Sequence, residues 1–209
     1  NLSPQMASLQ ELWAGSCDAW ISPFGSTSCV YMRPVQGTPD DCLPIPPSWV
    51  EWPKEGTFGV FALTATEPMG EKQSPEANAL AMTELEKELQ ELCRGTTTQS
   101  GSGTEDVRRF WRSFGFHIKE GWREDGYTLV AEASEAMRLA RKYRQGAIYG
   151  FQLDGSGMTL RRRTVPVCLP DTEADVLIAL CERPESALAD PSAWGSQFGE
   201  KLASASEVD

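Results

Sequence analysis

The chain reads as an α+β protein, a two-layer sandwich of ferredoxin-like (split βαβ) order with an added fifth strand. Three observations lead there. Between residues 57 and 170 the elements run strand, helix, strand, strand, helix, strand. Both helices carry apolar positions at helical spacing, so each has one face to bury against a sheet. The connections are short, and right-handed crossovers leave few other layouts.

The first strand is Thr57–Thr66, TFGVFALTAT, rich in aromatic and β-branched side chains. Glu67-Pro68-Met69-Gly70 turns the chain, and Ser74 caps a helix that has Pro75 at its first position and runs to about Cys93. Ala77, Ala81, Leu85, Leu89 and Leu92 form its apolar stripe. Arg94–Glu105, rich in Gly, Ser and Thr, reads as a surface loop. It lacks the Lys and the preceding strand of a phosphate-cradling loop. Phe110–Lys119 is the second strand, Glu120–Gly126 a turn and Tyr127–Glu132 the third strand. Ser134 is placed to cap the second helix, which ends near Arg144 with Gly146 as a left-handed stop. Ala147–Leu153 is the fourth strand. Asp154-Gly155-Ser156-Gly157 makes a hairpin turn into the fifth, Met158–Cys168.

Residues 1–56 stand apart as a Pro/Trp-rich extended arm, with eight prolines and four tryptophans. Proline removes a backbone donor and argues against central strands, leaving one short helix over Met6–Trp13. Trp13, Trp20, Trp49 and Trp52 are read as binding anchors, because an indole gains much by burying its area. Their pocket lies either on this chain's own domain or on a neighbouring subunit. Residues 171–209 form a C-terminal extension with an acidic tail; Val176–Cys181 is read as a strand. Leu188, Trp194, Phe198 and Leu202 are the tail's only anchors.

Composition excludes several functions. A net charge of −11 argues against general nucleic-acid binding, which needs an excess of Lys and Arg. No apolar run is long enough to span a bilayer as a helix. The six cysteines contain no C-x-x-C pair, against zinc ribbons and dithiol redox motifs. Three lie in the arm at similar spacing, which leaves a disulfide open beside the favoured reading of reduced, packed thiols. His117 is the only histidine, so multi-imidazole metal sites are excluded and it reads as an edge or core residue. No G-x-S-x-G, H-E-x-x-H or Walker sequence occurs. No catalytic residue, metal or cofactor is therefore expected.

Three pieces point to a family: Leu63-Thr-Ala-Thr-Glu-Pro68, Ser74-Pro75-Glu76-Ala77-Asn78, and Trp122-Arg-Glu-Asp-Gly126 followed by a strand, Ser134 and Gln145-Gly-Ala-Ile-Tyr149. In this order and spacing the stretch from Phe58 to Phe151 resembles domain of unknown function 3293, a family of small, mostly bacterial proteins. Glu67 departs from the Asn that the family typically has before the proline, and the Gly/Ser/Thr loop looks like an insertion. The resemblance implies a compact α/β domain and no reaction. It singles out Glu67, Asn78, Trp122, Glu124 and Tyr149 as the residues of a shared pocket.

Arg161-Arg162-Arg163 is the one basic cluster, with Arg108, Arg109 and Arg112 as reinforcement. In a strand, Arg161 and Arg163 share a face and could take an anion or a partner's acidic patch, against the ordinary reading of a charged exposed strand. Glu124 and Asp125 read as solvated charges in a turn. The favoured function is a non-catalytic structural or binding subunit that docks through the arm onto other protein subunits, with no nucleic-acid partner and no transmembrane segment, peripheral contact with a membrane complex being left open. The chain opens at Asn1 rather than Met, which fits a processed, imported protein and suggests a plastid complex, with the cytoplasm as the other location. The alternative is a small enzyme or ligand-binding domain with a pocket near Glu67, Asn78 and Trp122.

Overall fold

The computed structural model describes residues 8–37, 39–47, 49, 52–53, 58–94, 108–153 and 158–198. The described helices are α1 (Leu9–Gly15), α2 (Pro75–Arg94) and α3 (Ala133–Lys142). The strands are β1 (Cys17–Ile21), β2 (Cys29–Val35), β3 (Phe58–Leu63), β4 (Arg109–His117), β5 (Trp122–Glu132), β6 (Ala147–Leu153), β7 (Leu160–Pro166) and β8 (Ala174–Cys181). They close into a barrel in the order β1-β2-β8-β7-β6-β3-β5-β4, with β4 returning to β1 and every pairing antiparallel.

The two-layer ferredoxin-like sandwich is thereby overturned. Its four central strands are neighbours, but neither edge stays open: β1 pairs along β4, and β7 and β8 continue from β6 to meet β2. Closure removes the two edges that an open sheet would have to protect. Residues 17–35, part of the stretch read as an arm, supply two of the staves. The proline that argued against strands there is accommodated by register. Pro34 lies beyond the last β1 pairing, Asp18 with Met32, and pairs only with Ile178 of β8. A residue without an N–H is tolerated where one side of the strand has no neighbour.

Strand alternation sorts the barrel into an inside and an outside. On β5, Val130 faces inward beside Val60, Trp111, Phe151, Leu160 and Ile178, while Leu129 and Ala131 face outward. The outward set meets Met82, Leu85 and Leu89 of α2 and Ala136, Leu139 and Ala140 of α3, so both helices lie against the outer wall. Ser74 caps α2 by accepting from the Ala77 N–H at 3.2 Å. Ser134 does not cap α3: the helix starts at Ala133, and Glu135 accepts from the Glu132 N–H at 3.2 Å. The left-handed residue after α3 is Arg144 (φ 51) rather than Gly146. Gly146 is required for space, since a Cβ there would lie 2.6 Å from Leu169 Cδ1.

One end of the barrel is filled by rings. Trp49 stacks on Trp20 at 5.2 Å, Trp52 at 6.2 Å, and Phe24 and Trp111 close around them. Trp20 and Trp49 are 1% and 2% exposed, so they anchor into this chain's own barrel. From β8 to Phe198 the chain is stitched to the outside of β2, β4 and β5. Tyr31 donates to the Ala189 carbonyl, Trp194 Nε1 to that of Ser113, and Phe198 is buried against the helices. No disulfide joins any of the six cysteines. Arg94–Glu105 beyond its first residue, the 154–157 turn, Leu202 and the start of the Met6–Trp13 helix lie outside the described residues; α1 itself runs from Leu9.

Candidate functional site: a polar cavity at one end of the barrel

From the ring cluster toward its other end the barrel holds a cavity of about 380 Å³, with Trp20 of the cluster on its wall. Inward positions converge on it: Asp18 of β1, Ser113 and Gly115 of β4, Glu124 of β5, Tyr149 of β6 and Thr164 of β7. Leu9, Glu67 and Gly70 make its exposed rim, and Trp13 and Trp122 line it with indole surface. Two glycines let the walls come together. A Cβ on Gly126 would sit 2.5 Å from the Leu63 carbonyl oxygen, so β3 and β5 can approach only without one. At Gly115 a Cβ would meet nothing closer than the Trp122 ring at 3.8 Å, which leaves the space beside it to the cavity.

A buried ion pair organises the middle of the barrel. Arg162 of β7 bonds to Asp18 and donates to the carbonyls of Ser16 (3.0 Å), Trp13 (2.7 Å) and Ala14 (3.1 Å). Those carbonyls lie at the end of α1, so one guanidinium, with the Ser16 and Tyr149 hydroxyls on the Trp13 carbonyl, caps the helix and pins it across the barrel mouth. Burial works against charge on Arg162, but the Asp18 carboxylate together with Tyr149 and Cys17 offsets it and holds the pKa above the ordinary value. For Asp18, burial pushes the pKa up against the pull of Arg162. The direct bond and the filled donor set favour the ionised pair. Tyr149 lies under the guanidinium, its ring centroid 4.6 Å away, with its hydroxyl 3.0 Å from Ser16 Oγ.

Glu124 has no such partner among the described residues. It is exposed in surface terms, but the surface it exposes is cavity wall, and protein surrounds the carboxyl. Loss of hydration, then repulsion from Glu67 and Asp125, push its pKa up to about 7. Asp125 points the other way along β5. It is buried, bonds to Arg123 at 2.7 Å and accepts from the Gly195 N–H at 2.8 Å. Neither carboxylate lies in a turn. β4 and β5 pair as far as His117 with Trp122, which confines the turn to 118–121. His117 closes that turn, accepting from the Glu120 N–H on Nδ1.

The rim is backbone-strained. Glu67 (φ 44) and Met69 (φ 58) are both left-handed. Asn78 Oδ1 accepts from the Glu67 N–H at 3.2 Å, and the Arg144 carbonyl from the Met69 N–H at 3.0 Å. Non-glycine residues hold such angles only where the surroundings over-determine them. Asn visits this region far more readily than Glu, which explains why Asn suits the position before Pro68.

The five residues drawn from the family resemblance, Glu67, Asn78, Trp122, Glu124 and Tyr149, all line this one cavity. Trp13 and Trp20 line it too, whereas Trp49 and Trp52 belong to the ring cluster. Arg161 and Arg163 do not reach it. Both pair with Asp175 on β8, at 3.0 and 3.4 Å. Arg108 bonds to Glu135 and Arg112 lies over Trp194, so these arginines are drawn to separate partners. Sequence reasoning missed Arg162 and Asp18. The alternation that puts Arg161 and Arg163 on one face puts Arg162 on the other, which was the available signal. Among the described residues no cluster of His, Cys, Asp and Glu is arranged to hold a metal.

Residues 63–148 match the family model described as Protein of unknown function (DUF3293). The resemblance read from the sequence is thus shown, over slightly narrower bounds. The matched segment runs from the end of β3 to the start of β6 and carries Glu67, Asn78, Trp122 and Glu124. Asp18, Trp13 and Arg162 come from outside it. No curated protein and no solved structure matches the chain.

Proposed function

We propose that this chain is a small-molecule-binding domain whose ligand occupies the cavity at the polar end of the barrel. One observation carries the reading: side chains from the β3–α2 turn, α2, β5 and β6 converge with Trp13 on a single cavity of about 380 Å³. An eight-stranded barrel leaves an interior wide enough to be packed solid or to hold one small ligand, and this one is packed at one end only. The volume is in the usual range for small-ligand pockets, and the lining mixes apolar surface with a few convergent polar groups. The docking-subunit reading loses its motivation, since Trp20 and Trp49 are buried in the chain's own barrel.

The test is a ligand-observed NMR screen of a fragment library against the wild type and Gly115→Leu. A side chain at Gly115 grows into the cavity, so hits at the site should vanish in that variant while circular dichroism stays native. Hits that all survive Gly115→Leu, or a screen with none, would remove the proposal.

A further inference from the structure

Resting on that reading, we propose that the ligand is a small organic cation, a protonated amine or guanidinium with an apolar body, held between Glu67 and Glu124 with its body against Trp13 and Trp122. The argument is one of charge and surface.

Four charged residues line the cavity: Asp18, Glu67, Arg123 and Glu124. Asp18 is neutralised by Arg162 and Arg123 by Asp125, both within 3 Å. Two carboxylates remain, and neither has an ion-pair partner among the described residues. Among the described residues that line the cavity, no further cation offsets them. The Arg162 donors go to Asp18 and three carbonyls; Arg123 lies over the Phe114 ring at 3.7 Å, is charge-paired with Asp125 and donates through Nη1 to the Leu188 and Asp190 carbonyls, with only its Nη2 left without a partner. An anionic ligand would therefore meet uncompensated negative charge. A bare divalent ion fits poorly, because among the described residues no three of His, Cys, Asp and Glu are grouped to hold one. Indole faces attract organic cations, and carboxylates with reduced hydration bind them more strongly than surface ones do. The left-handed Glu67 adds weight: the backbone there suits Asn better, so the strained residue contributes a carboxylate that Asn would lack.

The experiment titrates the full chain by calorimetry with matched triplets that share a body and differ in head group. Phenethylamine, 2-phenylethanol and phenylacetate form one set; indolyl and cyclohexyl bodies form two more, and benzamidine adds a guanidinium-like head. The amines and benzamidine are expected to bind at least about tenfold more tightly than their neutral and anionic counterparts, a difference of about 1.4 kcal/mol. Glu124→Gln and Glu67→Asn should each erase most of that preference, with Glu67→Asn melting no lower than wild type. If alcohols or carboxylates bind as well as amines, or if no panel member binds, the cation inference is overturned. The cavity reading is decided separately by the Gly115→Leu screen.

Discussion

The two ends of the barrel are built by the same strands and do opposite things. At one end Trp20, Trp49, Trp52, Phe24 and Trp111 pack ring on ring. At the other, the same alternation delivers Asp18, Ser113, Glu124, Tyr149 and Thr164 to an open volume. On β1 the change takes two residues, Trp20 to Asp18; on β6 it takes Phe151 to Tyr149. The ring end is expected to hold the barrel together, and the polar end to give up packing for chemistry. Between them lies Arg162, which fastens α1 over the polar end.

The largest effect should come from that fastening. Arg162→Met leaves Asp18 buried without a partner and α1 without its cap, and should cost about 3–5 kcal/mol in urea denaturation. The partner change Asp18→Asn, combined with Arg162→Met, should recover part of the loss. If the single variant costs under about 1 kcal/mol, the pair is not what joins the two ends. Trp49→Ala probes the ring end and should cost about 3 kcal/mol, with the affinity of any cavity ligand unchanged. A loss of ligand binding at equal folding would mean that the ends are coupled.

Glu124→Gln probes the polar end and has the opposite sign. The folded-state pKa of Glu124 is raised from 4.5 to about 7, so the folded state binds its proton more tightly than the unfolded chain does. Stability from this group is therefore present below about pH 4.5 and lost as pH rises to about 7. Glu124→Gln should gain on wild type across that window, by about 1 kcal/mol above pH 7, because cavity water screens part of the shift. A melting-temperature difference that does not vary with pH would contradict the assignment. Glu124 has Glu67 and Tyr149 with the Asp18–Arg162 pair around it in the cavity, and Asp125 with Arg123 behind it on the other face of β5. A bound cation would favour the ionised Glu124, so its affinity should rise from pH 6 to pH 8. The smallest effect belongs to the outer wall. Arg161→Gln and Arg163→Gln, against half-exposed Asp175, should each change stability by less than about 0.5 kcal/mol and leave binding untouched.

Much of the local structure could be read from the chain because it depends on neighbours in sequence. Pro75 and Ser74 mark the start of α2, and the alternation of TFGVFAL marks β3. The pocket set Glu67, Asn78, Trp122, Glu124 and Tyr149 was legible only through the family resemblance, since its members lie on four separate elements. Glu124 and Asp125 show the limit: as adjacent carboxylates they look alike. Only the β4 pairing, which extends β5 back to Trp122, puts one in the cavity and the other against Arg123. Arg162 looked like the middle of a solvated basic run, because its partner Asp18 lies 144 residues away.

By itself, then, the amino-acid sequence determined the helices, most of the strands and the absence of a helix long and apolar enough to cross a membrane, all matters of spacing and capping within a few residues. The tertiary structure alone decided that the sheet closes. Closure depends on β1 meeting β4 across nearly a hundred residues and on Pro34 falling where β2 has lost one neighbour. No local propensity encodes such a register. The cavity follows from it, because a barrel has an inside and an open sheet does not.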